Sequence, residues 1–147
     1  MGLTFDNNVN LASSRKNHVN FYYGTAILNS ISDPKSWAGE FRYDYDLAKY
    51  IKLSANILTE NLSPERRTGK GAQVFAYTHL TDNLTAALGV GPEYISNAKR
   101  RLNALITMNI DYVIPNTSFS IQALWNRVST FGNRDTDDFM AGIGYTF

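Results

Sequence analysis

Apolar and polar residues alternate with period two through most of the chain, and each run ends at residues that favour turns. Val19, Phe21, Tyr23, Thr25 and Ile27 share a face opposite His18, Asn20, Tyr22, Gly24 and Ala26, because successive strand side chains point to opposite sides. Runs of the same kind begin near Trp37, Ile51, Ala72, Leu84, Leu102 and Phe119. The last run, Phe139 to Phe147, places Phe139, Ala141, Ile143, Tyr145 and Phe147 together. About eight strands of roughly 8–12 residues result, the length a tilted strand needs to cross a bilayer. An apolar strand at the end of a chain is a sticky edge unless closure against another strand removes it.

The connections alternate in length. Tight ones fall near Ala48-Lys49, Thr81-Asp82-Asn83 and Pro115-Asn116-Thr117, and longer polar ones over 29–36, 61–71, 92–101 and 129–137. Short turns at one end and long loops at the other are the asymmetry of outer-membrane barrels. Residues 3–12 also alternate, through Leu3, Phe5, Val9 and Leu11. Because single-chain bacterial barrels use even strand numbers, 1–16 is expected to be an N-terminal extension or partial strand.

Which face points inward is decided by the run over 37–47. Glu40, Arg42, Asp44 and Asp46 lie together opposite Trp37, Phe41, Tyr43 and Tyr45. Pairing across the Ala48-Lys49 turn sets Asp46 beside Lys52 and Arg42 beside Asn56, a polar network suited to a narrow eight-strand lumen. Pairing across 115–117 sets Tyr112 beside Phe119, Ile110 beside Ile121 and Ile106 near Trp125, a lipid-facing apolar band. The competing arrangement is a water-soluble barrel with an aromatic-lined cavity. It conflicts with the alternating connection lengths.

Composition narrows the class. The chain has 147 residues, enough for a single domain over 1–147. Hydrophobic residues make up 44%, mean hydropathy is −0.28, and no stretch approaches the roughly 18 apolar residues of a spanning helix. Aromatics reach 13%, with 9 Tyr and 8 Phe, as interfacial girdles require. A net charge of +1 gives no reason to expect nucleic acid. With 0 cysteines there is no disulfide frame and no thiolate metal site. Met1 leads into Gly2-Leu3-Thr4 without a basic or apolar leader, so an exported protein of this sequence is expected in mature form.

The terminal pattern Gly142-x-x-Tyr145-x-Phe147 resembles the insertion signal of bacterial outer-membrane β-barrels, although position 140 is Met where that signal usually carries a polar residue. Over residues of about 17–147 the organisation is similar to the small outer-membrane barrels of the OmpX, Ail and OmpA-transmembrane-domain type. The fold expected is all-β: a closed, up-and-down antiparallel transmembrane β-barrel. The resemblance implies insertion into the bacterial outer membrane by the barrel-assembly machinery, and surface roles such as adhesion, serum resistance and envelope integrity.

Signals for chemistry are few. His18 and His79 are the two histidines; both are expected at the turn end, without carboxylates at ligand spacing, so neither a metal nor a cofactor is expected. Ser96-Asn97 resembles the tail of a His-x-Ser-Asn motif of outer-membrane lipid A deacylases, but position 94 is Tyr, and a Ser without a base is a poor nucleophile. Glu40, Asp44 and Asp46 read as lumen salt-bridge partners rather than catalytic acids. Arg66, Arg67, Lys70, Lys99, Arg100 and Arg101 form two basic clusters expected on the extracellular rim, where lipopolysaccharide phosphates pair with Arg and Lys. The expected function is therefore a non-enzymatic barrel presenting loops to lipopolysaccharide or a host ligand. A lipid A-modifying enzyme and a narrow solute channel are the alternatives.

Overall fold

A computed structural model describes residues 16–28, 35–61, 66–95, 101–130 and 135–147. The alternating runs form eight strands: β1 (Asn17–Leu28), β2 (Lys35–Ala48), β3 (Ile51–Asn61), β4 (Arg66–His79), β5 (Leu84–Ile95), β6 (Leu102–Val113), β7 (Phe119–Ser129) and β8 (Thr136–Thr146). Each pairs antiparallel with the next, and β8 returns to β1 to close the barrel. Closure leaves the apolar C-terminal strand without a free edge. At the seam Phe147 N–H donates to the Asn17 carbonyl at 2.9 Å, and Asn17 N–H to the Phe147 carbonyl at 3.1 Å. The expected extension over 1–16 lies outside the described residues, Lys16 excepted.

Two expectations need correction. The polar connections at the loop end are shorter than the sequence reading allowed, because β4 already begins at Arg66 and β5 runs on to Ile95. Arg66–Gly71 and Pro92–Ile95 keep the period-two alternation, so they extend the sheet although charged residues lie among them. The β6–β7 register is also displaced by two residues: Tyr112 faces Ile121, Ile110 faces Ala123 and Ile106 faces Arg127. Asn116 adopts a left-handed φ of 63°, and Thr117 N–H closes onto the Ile114 carbonyl at 3.1 Å. Ser118 therefore belongs to the turn. A shift of two preserves each residue's face. The β2–β3 register is as expected, with Asp46 opposite Lys52 and Arg42 opposite Asn56.

Large apolar side chains cover the outside: Phe21 is 57%, Tyr23 66% and Ile143 61% exposed. Glu40, Arg42 and Asp44 are buried in the lumen. In water that distribution would be unfavourable on both counts; in a bilayer it is the stable one. The lumen is not polar throughout. Ala26, Ala38, Leu58, Leu105, Leu124 and Val128 form a buried apolar cluster within it, so the interior is filled, as expected for eight strands.

The outer face of β3–β6 is organised in rows. Ile57, Lys70, Tyr94 and Leu102 are cross-strand neighbours, and Leu53, Val74, Val90 and Ile106 form a second such row. Between them Ala55 faces Ala72, and Pro92 faces Ala104. Ala72 comes opposite Pro92 between the pairs Gly71–Glu93 and Val74–Val90. Proline has no N–H to give the ladder there. Gly91 lets the strands approach: a Cβ on it would run into the Ala72 carbonyl oxygen, whereas one on Gly89 would meet the Phe75 ring.

Candidate functional site

The inward residues of β2 begin the site. Arg42 donates from Nε to Glu40 Oε1 at 2.5 Å, and from Nη1 to Gln73 Oε1 at 2.7 Å and Ser54 Oγ at 3.1 Å. Gln73 Nε2 donates to Thr107 Oγ1 at 3.0 Å, Thr107 Oγ1 to Asn126 Oδ1 at 2.6 Å, and Asn126 Nδ2 back to Glu40 Oε2 at 2.5 Å. These five side chains close a ring of hydrogen bonds across the lumen, joining β2, β4, β6 and β7. Arg42 also lies over the Phe75 ring, 5.0 Å from its centroid. A buried ion pair stabilises only when its remaining donors and acceptors find partners, and the amides and hydroxyl of the ring supply several of them.

Toward the turn end a second layer follows. Asn109 Nδ2 donates to Gln122 Oε1 at 2.8 Å and to the Tyr22 hydroxyl at 3.0 Å, and Tyr22 donates to Gln122. Gln122 Nε2 donates to Asn20 Oδ1 at 2.7 Å, and Asn20 Nδ2 to Asp44 Oδ2 at 3.0 Å. Lys52 approaches Asp44, at 3.4 Å, rather than the Asp46 it faces in register. Asn56 points inward and is buried, yet its amide makes no hydrogen bond. It shares the lumen without joining the network.

Asp46 instead accepts from His18 Nε2 at 2.8 Å, while His18 Nδ1 lies 2.9 Å from Thr146 Oγ1. The expectation that both histidines lack neighbouring carboxylates is thus wrong for His18. β1 and β2 are not joined by a tight turn in the sequence, which therefore gives no register between them, so the contact was invisible in it. Hydroxyl, imidazole and carboxylate in line resemble a nucleophile with its base. Here the neighbouring amides are engaged in the sheet: Thr146 N–H donates to the Ser118 carbonyl and Phe147 N–H to that of Asn17, both at 2.9 Å. Among the described residues, these amides leave no donor pair beside the hydroxyl to stabilise an oxyanion. The group is a clasp across β8, β1 and β2. His79 is exposed and lies 2.9 Å from Thr85 Oγ1. Among the described residues, no group of three or more His, Asp or Glu side chains is placed to hold a metal ion.

The basic candidates separate. Arg67 is not on the rim; it is buried in the lumen, donating to Glu60 Oε2 at 2.5 Å and Thr136 Oγ1 at 2.6 Å. In a strand, Arg66 and Arg67 must face opposite ways. Arg66 faces out, 5.4 Å over the Trp37 ring, and Lys70 is exposed on the same face. Arg101 is exposed at the loop end, whereas Lys99 and Arg100 lie outside the described residues. On the opposite wall Arg127 is neutralised by Asp137 at 2.9 Å and Asp135 at 3.6 Å.

In the terminal strand Tyr145 and Phe147 face out, their rings 6.1 Å apart, with Phe119 5.2 Å from Tyr145. Gly142 faces in, where a side chain would collide with Tyr22.

An apolar belt around an enclosed ionic interior defines a transmembrane β-barrel of eight strands. No protein-family model and no curated protein sequence matches the chain. Its fold is nevertheless that of small outer-membrane barrels. Neisserial surface protein A superposes with a TM-score of 0.64 at 12% identity, over 89% of this chain and 97% of that one. The attachment invasion locus protein Ail of Yersinia pestis gives 0.62 at 11% identity, over 90% and 99%. The outer-membrane enzyme PagL gives 0.59 at 11% identity, over 87% and 98%. At such identity the likeness concerns fold alone, and the same fold carries an enzyme and surface proteins.

Proposed function

We propose that this chain is a non-enzymatic integral protein of the bacterial outer membrane that acts through its outer surfaces. The observation that carries this reading is the closed ring Glu40–Arg42–Gln73–Thr107–Asn126. It spans the lumen and ties its members to one another, which supports a structural interior rather than an open site or passage. Chemistry at the turn end is disfavoured by the engaged amides around Thr146.

What the protein offers its surroundings is then its outside wall and loops. Arg66, Lys70 and Arg101, with Lys99 and Arg100 beside them in sequence, suit contact with lipopolysaccharide phosphates. The exposed Tyr145 and Phe147 suit recognition by the assembly machinery. The loops suit an envelope or host-surface ligand. Refolded protein in a planar bilayer is expected to pass no discrete current and to leave radiolabelled lipid A intact. Regular conductance steps would replace this reading by a channel, and released fatty acid by an enzyme.

A further inference from the structure

The outer wall of β3–β6 differs from that of β7–β8 in two independent ways. Every outward position on these strands, among the described residues, is apolar, neutral polar or basic; none is acidic. The outward cation of the opposite wall has Asp135 and Asp137 beside it. Lys70 has only Ile57 and Tyr94 as cross-strand neighbours. One row below Lys70, toward the membrane centre, run the small exposed residues Ala55, Ala72, Pro92 and Ala104. The bulky rows on either side of them are four residues apart along each strand, about 13 Å. The result is a furrow crossing four strands, oblique to the membrane normal because barrel strands are themselves tilted. Its upper bank carries a positive charge.

We propose that this wall seats one phosphorylated acyl glycolipid of the outer leaflet, with Lys70 on its phosphate and one acyl chain along Ala55, Ala72, Pro92 and Ala104. This rests on the lipopolysaccharide contact proposed above and gives it a place. The positive wall complements a phosphate, and a hydrocarbon chain fills the furrow better than bulk lipid that is free to leave. On β7–β8 the small outward pair Ala123–Ala141 is short, ending at Ile110 and Tyr23, and serves as a control.

The test uses the whole chain in phosphatidylcholine nanodiscs containing bis-phosphorylated lipid A. Lipid A retained per protein after detergent extraction is counted by native mass spectrometry. Lys70→Gln, Lys70→Glu, Ala72→Phe and Ala141→Phe are compared, each first shown to fold by its heat-dependent gel migration. Loss of the lysine charge, or filling of the furrow, is expected to lower retention about tenfold, as for one charge-assisted contact. Ala141→Phe should match the parent protein, and dephosphorylated lipid A should be held no better than by Lys70→Glu. Equal retention by parent, Lys70→Gln and Ala72→Phe overturns the furrow while leaving loop contacts with lipid A in place. No retention by the folded parent overturns both readings. Displacement by inorganic phosphate as effective as by lipid A reduces the site to an anion contact and overturns the acyl seat.

Discussion

Arg42 shows how one side chain makes a charged interior tolerable. Its guanidinium reaches Glu40 on its own strand, Ser54 on β3 and Gln73 on β4, using the planar fork that a lysine lacks. Arg42→Ala leaves Glu40 buried beside Asn126 with no cation, and such a loss costs about 3–5 kcal/mol. Arg42→Lys should cost less, since it keeps the charge and loses the fork. Urea unfolding of the protein folded into lipid vesicles measures both; an unchanged midpoint for Arg42→Ala would show that Glu40 does not need its partner. His18 behaves differently. Nε2–H donates to the Asp46 carboxylate and Nδ1 accepts from the Thr146 hydroxyl, so one ring joins three strands.

At the scale of strands, that clasp sits where the first and last strands meet. His18→Ala is expected to remove about 1–2 kcal/mol and to speed amide exchange at Asn17 and Phe147 more than in the β3–β4 hairpin. Uniform exchange in both places would mean that the backbone ladder alone holds the seam. The β6–β7 turn gives a second case. Asn116 tolerates its left-handed φ, so Asn116→Gly should be nearly neutral, while Asn116→Val should cost about 1–2 kcal/mol; thermal melts of the two variants decide it. The same residue marks the limit of sequence reasoning. Alternation and turn residues fixed the number of strands and the face of each, because both depend on neighbours in the chain. The β2–β3 register was legible since a two-residue turn, Lys49-Tyr50, leaves little freedom. Asn116 could adopt either hand, and its choice moved the β6–β7 register by two. Arg66–Lys70 read as loop because charge suggested solvent, although alternation continued through it. His18 and Asp46 meet only once the barrel geometry brings β1 against β2, and nothing local announces that.

For the molecule as a whole, orientation is the property on which function depends. Trp37 and Trp125 lie on the outer face toward the loop end, and Trp125 donates to Asp137 at 3.2 Å. Brominated lipids should therefore quench their fluorescence most strongly when the bromine is near the headgroup, and less when it is deep in the acyl region. Indifference to bromine at every depth would contradict a lipid-facing aromatic belt.

The cross-lumen ring also has a bearing on how such a protein is built. Its members come from residue 40 to residue 126, and the barrel is not complete until the strand after Asn126 has returned to β1. While the wall is open, water has a way in to the guanidinium and its acceptors. Dehydration of the interior is thereby tied to the final pairing event, so that an unfinished wall stays wet and soft, and hardens when the circle is made.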